Sequence, residues 1–183
     1  MLVLIGALLV SSGSSLNDFF TLYAVELKKF DAILWSTLFS ATFFLSAFIS
    51  IPLGELVDRM DKAKALLAST LVYGACLGII PVLWMVFSTE AELYVALLAR
   101  AIVALVFSTI VSLSLSALRV ELTEVEIRGK FFASVSIVNR LCSAAGSIVF
   151  GAIFSLNPDF YFYSISFVTC LAAIASYAIK RYI

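Results

Sequence analysis

Gly54-Glu55-Leu56-Val57-Asp58-Arg59-Met60-Asp61-Lys62-Ala63-Lys64 is the stretch from which the rest of the chain can be read. Charge is concentrated here, whereas residues 32–56 before it and 64–87 after it are mostly apolar. Each flank supplies the roughly 20 apolar residues needed to cross a hydrocarbon core about 30 Å thick. The stretch is therefore a water-exposed turn between two membrane-spanning helices.

The same length criterion gives further spans at about 2–26, 93–118, 131–156 and 160–179. Composition agrees: 63% of the 183 residues are hydrophobic and 13% charged, with a mean hydropathy of +1.12, far from the values of a soluble domain. Six crossings use almost the whole chain and leave no room for a soluble unit. The expected fold is an all-α membrane protein, one six-helix transmembrane domain over residues 1–183 with the lipid bilayer as its surroundings. A signal peptide is the alternative for the first segment, because Leu2 to Val10 is a short apolar run followed by the small residues Ser11 to Ser15. Its start lacks the usual positive charge and the apolar pattern resumes from Leu16 to Leu27, which favours a retained span.

Orientation follows from Lys and Arg. The turn after the second span holds Arg59, Lys62 and Lys64, the turn after the fourth holds Arg119, Arg128 and Lys130, and the C-terminus holds Lys180 and Arg181; opposite lie Lys28 and Lys29. The positive-inside rule places both termini and the Arg59 and Arg128 turns in the cytoplasm, for a multi-pass protein of the cell membrane. Tyr23, Trp35, Trp84, Tyr94, Tyr161 and Tyr163 fall near the other ends of the spans, at headgroup level, where amphipathic rings are favoured.

Several chemistries are excluded. The chain has no His, which removes Ser-His and Cys-His dyads, His-ligated zinc and imidazole relays. Aspartyl proteolysis within the membrane needs two carboxylates sharing a site, and Asp18 alone lies deep in a span. Cys76, Cys142 and Cys170 sit in three different spans and read as small buried hydrophobes. No phosphate loop or nucleotide fingerprint appears, and a net charge of zero gives no general attraction to nucleic acid. No enzyme activity, cofactor or metal is expected.

The Gly54 to Lys64 turn resembles the loop of the major facilitator superfamily, in which a Gly, three residues, Asp-Arg, one residue, a second Gly and then basic residues lie on the cytoplasmic side between the second and third helices of each half. Gly54, Asp58 and Arg59 correspond residue for residue, and Lys62 keeps a basic charge; Asp61 stands in place of the second glycine and Ala63 interrupts the basic cluster. Before the fifth span, Glu126-Ile127-Arg128-Gly129-Lys130 is similar to the acidic residue and Arg-Gly-basic turn common there in that family. The two matches stand in correct register. The resemblance implies a cytoplasmic gating loop of Gly54, Asp58, Arg59, Lys62, Arg128 and Gly129, with Asp58 and Arg59 beside the start of the fifth helix. It would latch two halves together in one access state, the acid facing a helix N-terminus.

Members of this family have twelve helices in two halves, each half a 3+3 inverted repeat. The resemblance therefore makes this chain one half, whose partner is a second six-helix half. That partner is another polypeptide or a second copy of this chain, or is lacking if the chain is a fragment of a longer product. The chain ends at Lys180-Arg181-Tyr182-Ile183 without the long linker that follows a first half, and Asn157-Pro158-Asp159-Phe160 looks like the last outer turn of a second half, so the C-terminal half is expected.

Asp18, Arg100 and Arg140 are charged within apolar runs, at about 2.5 to 3.5 kcal/mol each on insertion scales. With Asn17 and Asn139 they form the candidate substrate or proton path. At about 1.5 Å per residue, Asp18 and Arg100 lie roughly 5 and 8 Å outward of their span midpoints, close enough to pair, while Arg140 lies roughly 4 Å inward and suits an anionic ligand. Such a pair either neutralises its own burial or takes part in transport. The resemblance adds that several family members couple protons through a first-helix acid and a fourth-helix arginine, although Val103 and Ala104 stand here where Gln and Gly would be expected.

Rows of small residues, Ala104-Ser108-Ser112-Ser116, Ser143-Ser147-Gly151-Ser155 and Ser46-Ser50-Gly54, read as helix-packing seams. The run Ser11 to Ser15 is either an unwound segment with backbone groups open to substrate or a continuous helix whose serines bond back one turn. The expected function is a secondary-transporter half that moves a small molecule by alternating access when paired. The alternatives are a non-transporting scaffold or subunit and a truncated transporter remnant.

Overall fold

The computed structural model describes residues 2–14 and 16–179, apart from the side chains of residues 2, 13, 14, 17, 18, 178 and 179. Among the described residues there is no strand. The helices are α1 (Leu2–Ser14), α2 (Leu16–Thr21) continued by a π turn (Leu22–Leu27), α3 (Ala32–Arg59), α4 (Lys62–Gly78), α5 (Ile80–Val86), α6 (Glu90–Glu121), α7 (Arg128–Leu156) and α8 (Pro158–Ile179), with a 3-10 turn (Val125–Ile127) before α7.

Helix starts coincide with side chains able to accept the free N–H groups of a first turn. Asp31 accepts from Ile33 and Leu34 at 2.8 and 2.9 Å. Asn157 accepts from Asp159 and Phe160, both at 3.0 Å, with Pro158 in the first helical position, where a missing N–H is tolerated. Asp61 accepts from Ala63 and Lys64, both at 3.1 Å, and so caps α4.

α3, α6, α7 and α8 are each long and apolar enough to cross a membrane. The third span, expected as one helix over 64–87, is instead α4 and α5 bent by 42°. Pro81 in the first turn of α5 has no N–H to give the preceding turn, which opens the backbone ladder at the bend. Counted together the pair makes a fifth span. The expected first span is divided among α1, α2 and the π turn. Six unbroken helices are therefore not what the described residues form. Ser15 lies outside them; of the two readings of the Ser11 to Ser15 run, the continuous helix is the one that Ser11 and Ser12 fit, since they donate to the carbonyls of Leu8 and Leu9.

α4 packs against α6 and α8, α1 against α7 and α8, and α3 against α6. A Cβ at Gly146 would stand 2.6 Å from the Ser11 carbonyl oxygen, so glycine is what lets α7 come this close to α1. Thr169 Oγ1 lies 3.3 Å from Ser12 Oγ and joins α8 to α1. The α3 and α6 serine rows behave otherwise: Ser46, Ser50, Ser108 and Ser112 line an open groove of about 460 Å³ between those helices.

The two ends of the bundle differ in chemistry. At the end holding Lys29 and Asp159, Phe20, Tyr23, Phe30, Trp35, Tyr161 and Phe162 form a buried aromatic core, with Phe20 and Trp35 edge to face at 4.6 Å. There the Tyr23 hydroxyl donates to Asp159, and Lys28 stands 3.9 Å from the same carboxylate. At the opposite end Lys62 pairs with Glu121, tying the start of α4 to the end of α6. Large apolar side chains remain exposed on α3 (Phe44, Phe48, Ile51) and α7 (Leu141, Ile148, Leu156), surfaces suited to lipid or another protein.

Candidate functional site

The end of α4 at the bend supplies the first element of the site. Carbonyls in the last turn of a helix lose their intrahelical partners, and in α4 one of these, Cys76, accepts from Arg100 Nε of α6 at 2.8 Å. The guanidinium also lies over the Phe20 ring, 5.4 Å from its centroid, a cation–π contact that offsets part of the burial. Arg100 Nη2 is buried without a hydrogen-bond partner among the described residues. Arg100 lines a cavity of about 240 Å³ together with Phe20, Thr42, Tyr73, Ala104 and Ser108.

A second cavity of about 220 Å³ lies further along α6, sharing Tyr73 and Ser108 with the first and adding Gly6, Ser112, Ser116, Arg119 and Asn139. A third space of about 380 Å³ shares Arg119 and Asn139 with the second and adds Arg140 and Ser143. Asn139 Oδ1 and the Nε and Nη2 atoms of Arg119 are buried with no hydrogen-bond partner among the described residues. No acidic side chain lines any of these spaces among the described residues. Their linings are mostly apolar, and the polar groups set in them are arginines, hydroxyls and the Asn139 amide.

The structure thus brings Asn139 and Arg140 together, as their adjacency requires, and adds Arg119 to them. Arg100 sits in the other cavity, away from Arg140. Asn17 and Asp18 lie on α2, next to Phe20, but their side chains are outside the described residues, and so is the expected Asp18–Arg100 pair.

The expected gating residues are placed as follows. Asp58 and Arg59 are exposed at the end of α3, and among the described residues neither makes a hydrogen bond or ion pair with α7. Gly54 and Gly129 face open space, with nothing within 4 Å of where a Cβ would stand. Lys62 is tied to Glu121. Arg128 donates to the carbonyls of Thr123 and Val120, each at 3.1 Å, and so closes the end of α6. Both turns are anchored on α6. The family's second glycine is replaced by the Asp61 cap, whose carboxylate also lies 3.2 Å from Lys64 Nζ.

Arg119 and Tyr73 are the residues that sequence reasoning missed. Arg119 falls one position beyond the expected fourth span and counts there as a charge in the turn. In the structure its Nη2 lies 1.9 Å from where a Cβ of residue 6 would be, so the side chain turns inward over Gly6. A glycine early in the first span was the available signal, but only the tertiary fold sets it opposite Arg119.

No curated protein and no solved structure matches the chain. A family model described as the Major Facilitator Superfamily matches residues 3–182. The helical architecture, the two polar turns and a match over nearly the whole chain agree, and this transporter-type membrane protein belongs to the Major Facilitator Superfamily.

Proposed function

We propose that the chain is one six-helix half of a secondary transporter, which moves a small solute by alternating access when paired with a second six-helix half. The observation that carries this reading is the line of buried polar groups without partners, Arg100 Nη2, Asn139 Oδ1 and Arg119 Nη2, along cavities flanking α6. Packing does not require such groups, and intramembrane ionisable residues generally mark a solute or ion path. Asp18, Asn17, Arg100, Asn139 and Arg140 line that path in this reading, and the Asp58 loop sets the access state.

The contact pattern supports a 3+3 repeat. Counting α1 with α2 as the first passage and α4 with α5 as the third, the first meets the fifth and sixth while the fourth meets the second and third. Exchanging the first three passages for the last three maps one set of contacts onto the other. The Lys and Arg distribution supports cytoplasmic termini in the cell membrane. A non-transporting scaffold is the second reading, favoured by the Cys76 carbonyl and Phe20 ring that hold Arg100 in place.

The test is accessibility. Single cysteines at Ser108 and Ser112, in a Cys-free chain expressed as a tandem duplicate, should label from both sides of sealed vesicles. Asp58→Asn should shift the balance between the sides while insertion is unchanged. Labelling from one side alone, unmoved by Asp58→Asn, would leave the scaffold.

A further inference from the structure

We propose that the cavity between α1, α6 and α7 binds a small organic acid, its carboxylate on Arg119 and an adjoining hydroxyl or amino group on Asn139. The inference rests on the transporter-half reading and names the substrate class of its inner site.

Arginine offers five donors in a planar fork and accepts nothing, a shape that matches a carboxylate through two parallel bonds. Two of those donor atoms, Nε and Nη2 of Arg119, are buried and unpartnered among the described residues. A buried charged donor without a partner is costly, and no acid among the described residues lines either of the two spaces that Arg119 borders to neutralise it. An oxyanion from outside the chain meets both requirements. Asn139 Oδ1 presents the opposite demand, a buried acceptor lacking a donor, in the same two spaces as Arg119. One ligand satisfies both only if it carries an oxyanion and a donor side by side. Arg140, on the wall of the outer space, adds a second positive charge. The inner cavity of about 220 Å³ has room for roughly seven water-sized groups, the scale of a hydroxy or amino acid of a few carbons.

Gly6 is part of the site. The Arg119 guanidinium occupies the place a Cβ of residue 6 would take, so Gly6→Ala displaces the fork while leaving its charge in the protein.

The experiment is thermal melting of the purified chain in phosphate-free maltoside micelles, titrated with lactate, malate and serine, with acetate, and separately with phosphatidylglycerol. Saturable stabilisation by at least one of the three donor-bearing acids, weaker with acetate, is the expected result. Arg119→Gln should raise the dissociation constant roughly ten- to hundredfold, the scale of a lost charge-assisted bond. Gly6→Ala should weaken binding in the same direction and decides the matter if Arg119→Gln does not fold; Lys64→Gln, an equal loss of charge at the surface, should change nothing. The absence of saturable binding by all three acids, or binding indifferent to both Arg119→Gln and Gly6→Ala, overturns the site. Stabilisation by phosphatidylglycerol alone makes it a lipid-headgroup site and overturns it equally. Binding is read on this chain without its partner. An acid bound with one-sided labelling at Ser108 upholds the site and sinks the transporter reading, and two-sided labelling with no acid bound does the reverse.

Discussion

The Ser166 hydroxyl donates to the Gly74 carbonyl across 2.7 Å and so ties α8 to α4. A Cβ at Gly78 would stand 2.9 Å from the same hydroxyl oxygen, which places Ser166 in contact with two successive turns of α4. Hydrogen bonds between helices in bilayers average about 0.6 kcal/mol and reach about 1.7, so Ser166→Ala should cost within that range by reversible unfolding in bicelles. Gly78→Ala should be harmful in the wild type and better tolerated beside Ser166→Ala, because the clashing oxygen is then gone. Equal harm in both backgrounds would mean that the Ser166 hydroxyl is not what crowds position 78, leaving the Ser166 Cβ, 3.2 Å away, as the contact.

Asp61 gives the clearest pH dependence outside the membrane. The Lys64 amide first, then the hydrogen bond from the Lys64 ammonium, hold its carboxyl below the ordinary value of 3.8; desolvation opposes them, and the Lys64 charge and the Ala63 amide add to the lowering. A carboxyl depressed in the folded state stabilises at pH above its ordinary value, and the contribution is lost as pH falls through the folded value. Wild type should therefore begin to lose its melting advantage over Asp61→Ala as pH falls towards the ordinary carboxyl value, and lose it fully once pH has passed below the lowered value of the folded cap. A difference between the two proteins that does not change with pH would show that the cap works without its charge. Because the group is exposed, added salt should weaken its ion pair with Lys64.

Much of this was legible in the sequence, and the remainder has a common cause. Hydropathy reports how long a segment stays apolar, and it placed α3, α6, α7 and α8 within a few residues. It does not report direction within a span, so Pro81 inside 64–87 read as part of a continuous helix although its missing N–H bends the chain by 42°. Asp61 looked like a departure from the family turn, but the same residue types that end glycine turns also cap helices, and its bonds to Ala63 and Lys64 show which role applies. Arg119 is the deepest case. Whether an arginine at a span end reaches for water or turns inward depends on what stands opposite, and here that is Gly6 at the far end of the sequence.

The Tyr23–Asp159 bond joins the π turn to the start of α8 at the aromatic end, with Lys28 beside the carboxylate. Hydrogen bonds to charged groups contribute about 1.5 to 3 kcal/mol, and less where one partner is in part exposed, as Asp159 is. Tyr23→Phe should therefore destabilise by about 1 kcal/mol while the ring keeps its edge-to-face contacts with Trp84 and Phe162. Asp159→Asn, which retains an acceptor, should cost less. Melting of the two variants checks this, and a larger loss in Asp159→Asn would point to Lys28 as the partner that matters.

Arg100 carries the last prediction, because its surroundings distinguish two ways of holding a charge in the membrane. If Asp18, two residues before Phe20 on α2, meets the guanidinium, then Asp18→Asn or Arg100→Gln alone leaves an uncompensated charge, at about 3 to 5 kcal/mol for a buried pair, and the double variant is close to neutral. If the Phe20 ring and the Cys76 carbonyl are the whole of its support, the losses add. In that case Phe20→Leu should destabilise wild type by about 2 kcal/mol more than it does Arg100→Gln, the upper range of a desolvated cation–π contact. Melting of the singles, the Asp18 and Arg100 double and the Phe20 cycle separates the cases in one set of proteins. A near-neutral double that, paired with its second half, still transports with wild-type pH dependence would make the pair structural and remove proton coupling from the mechanism.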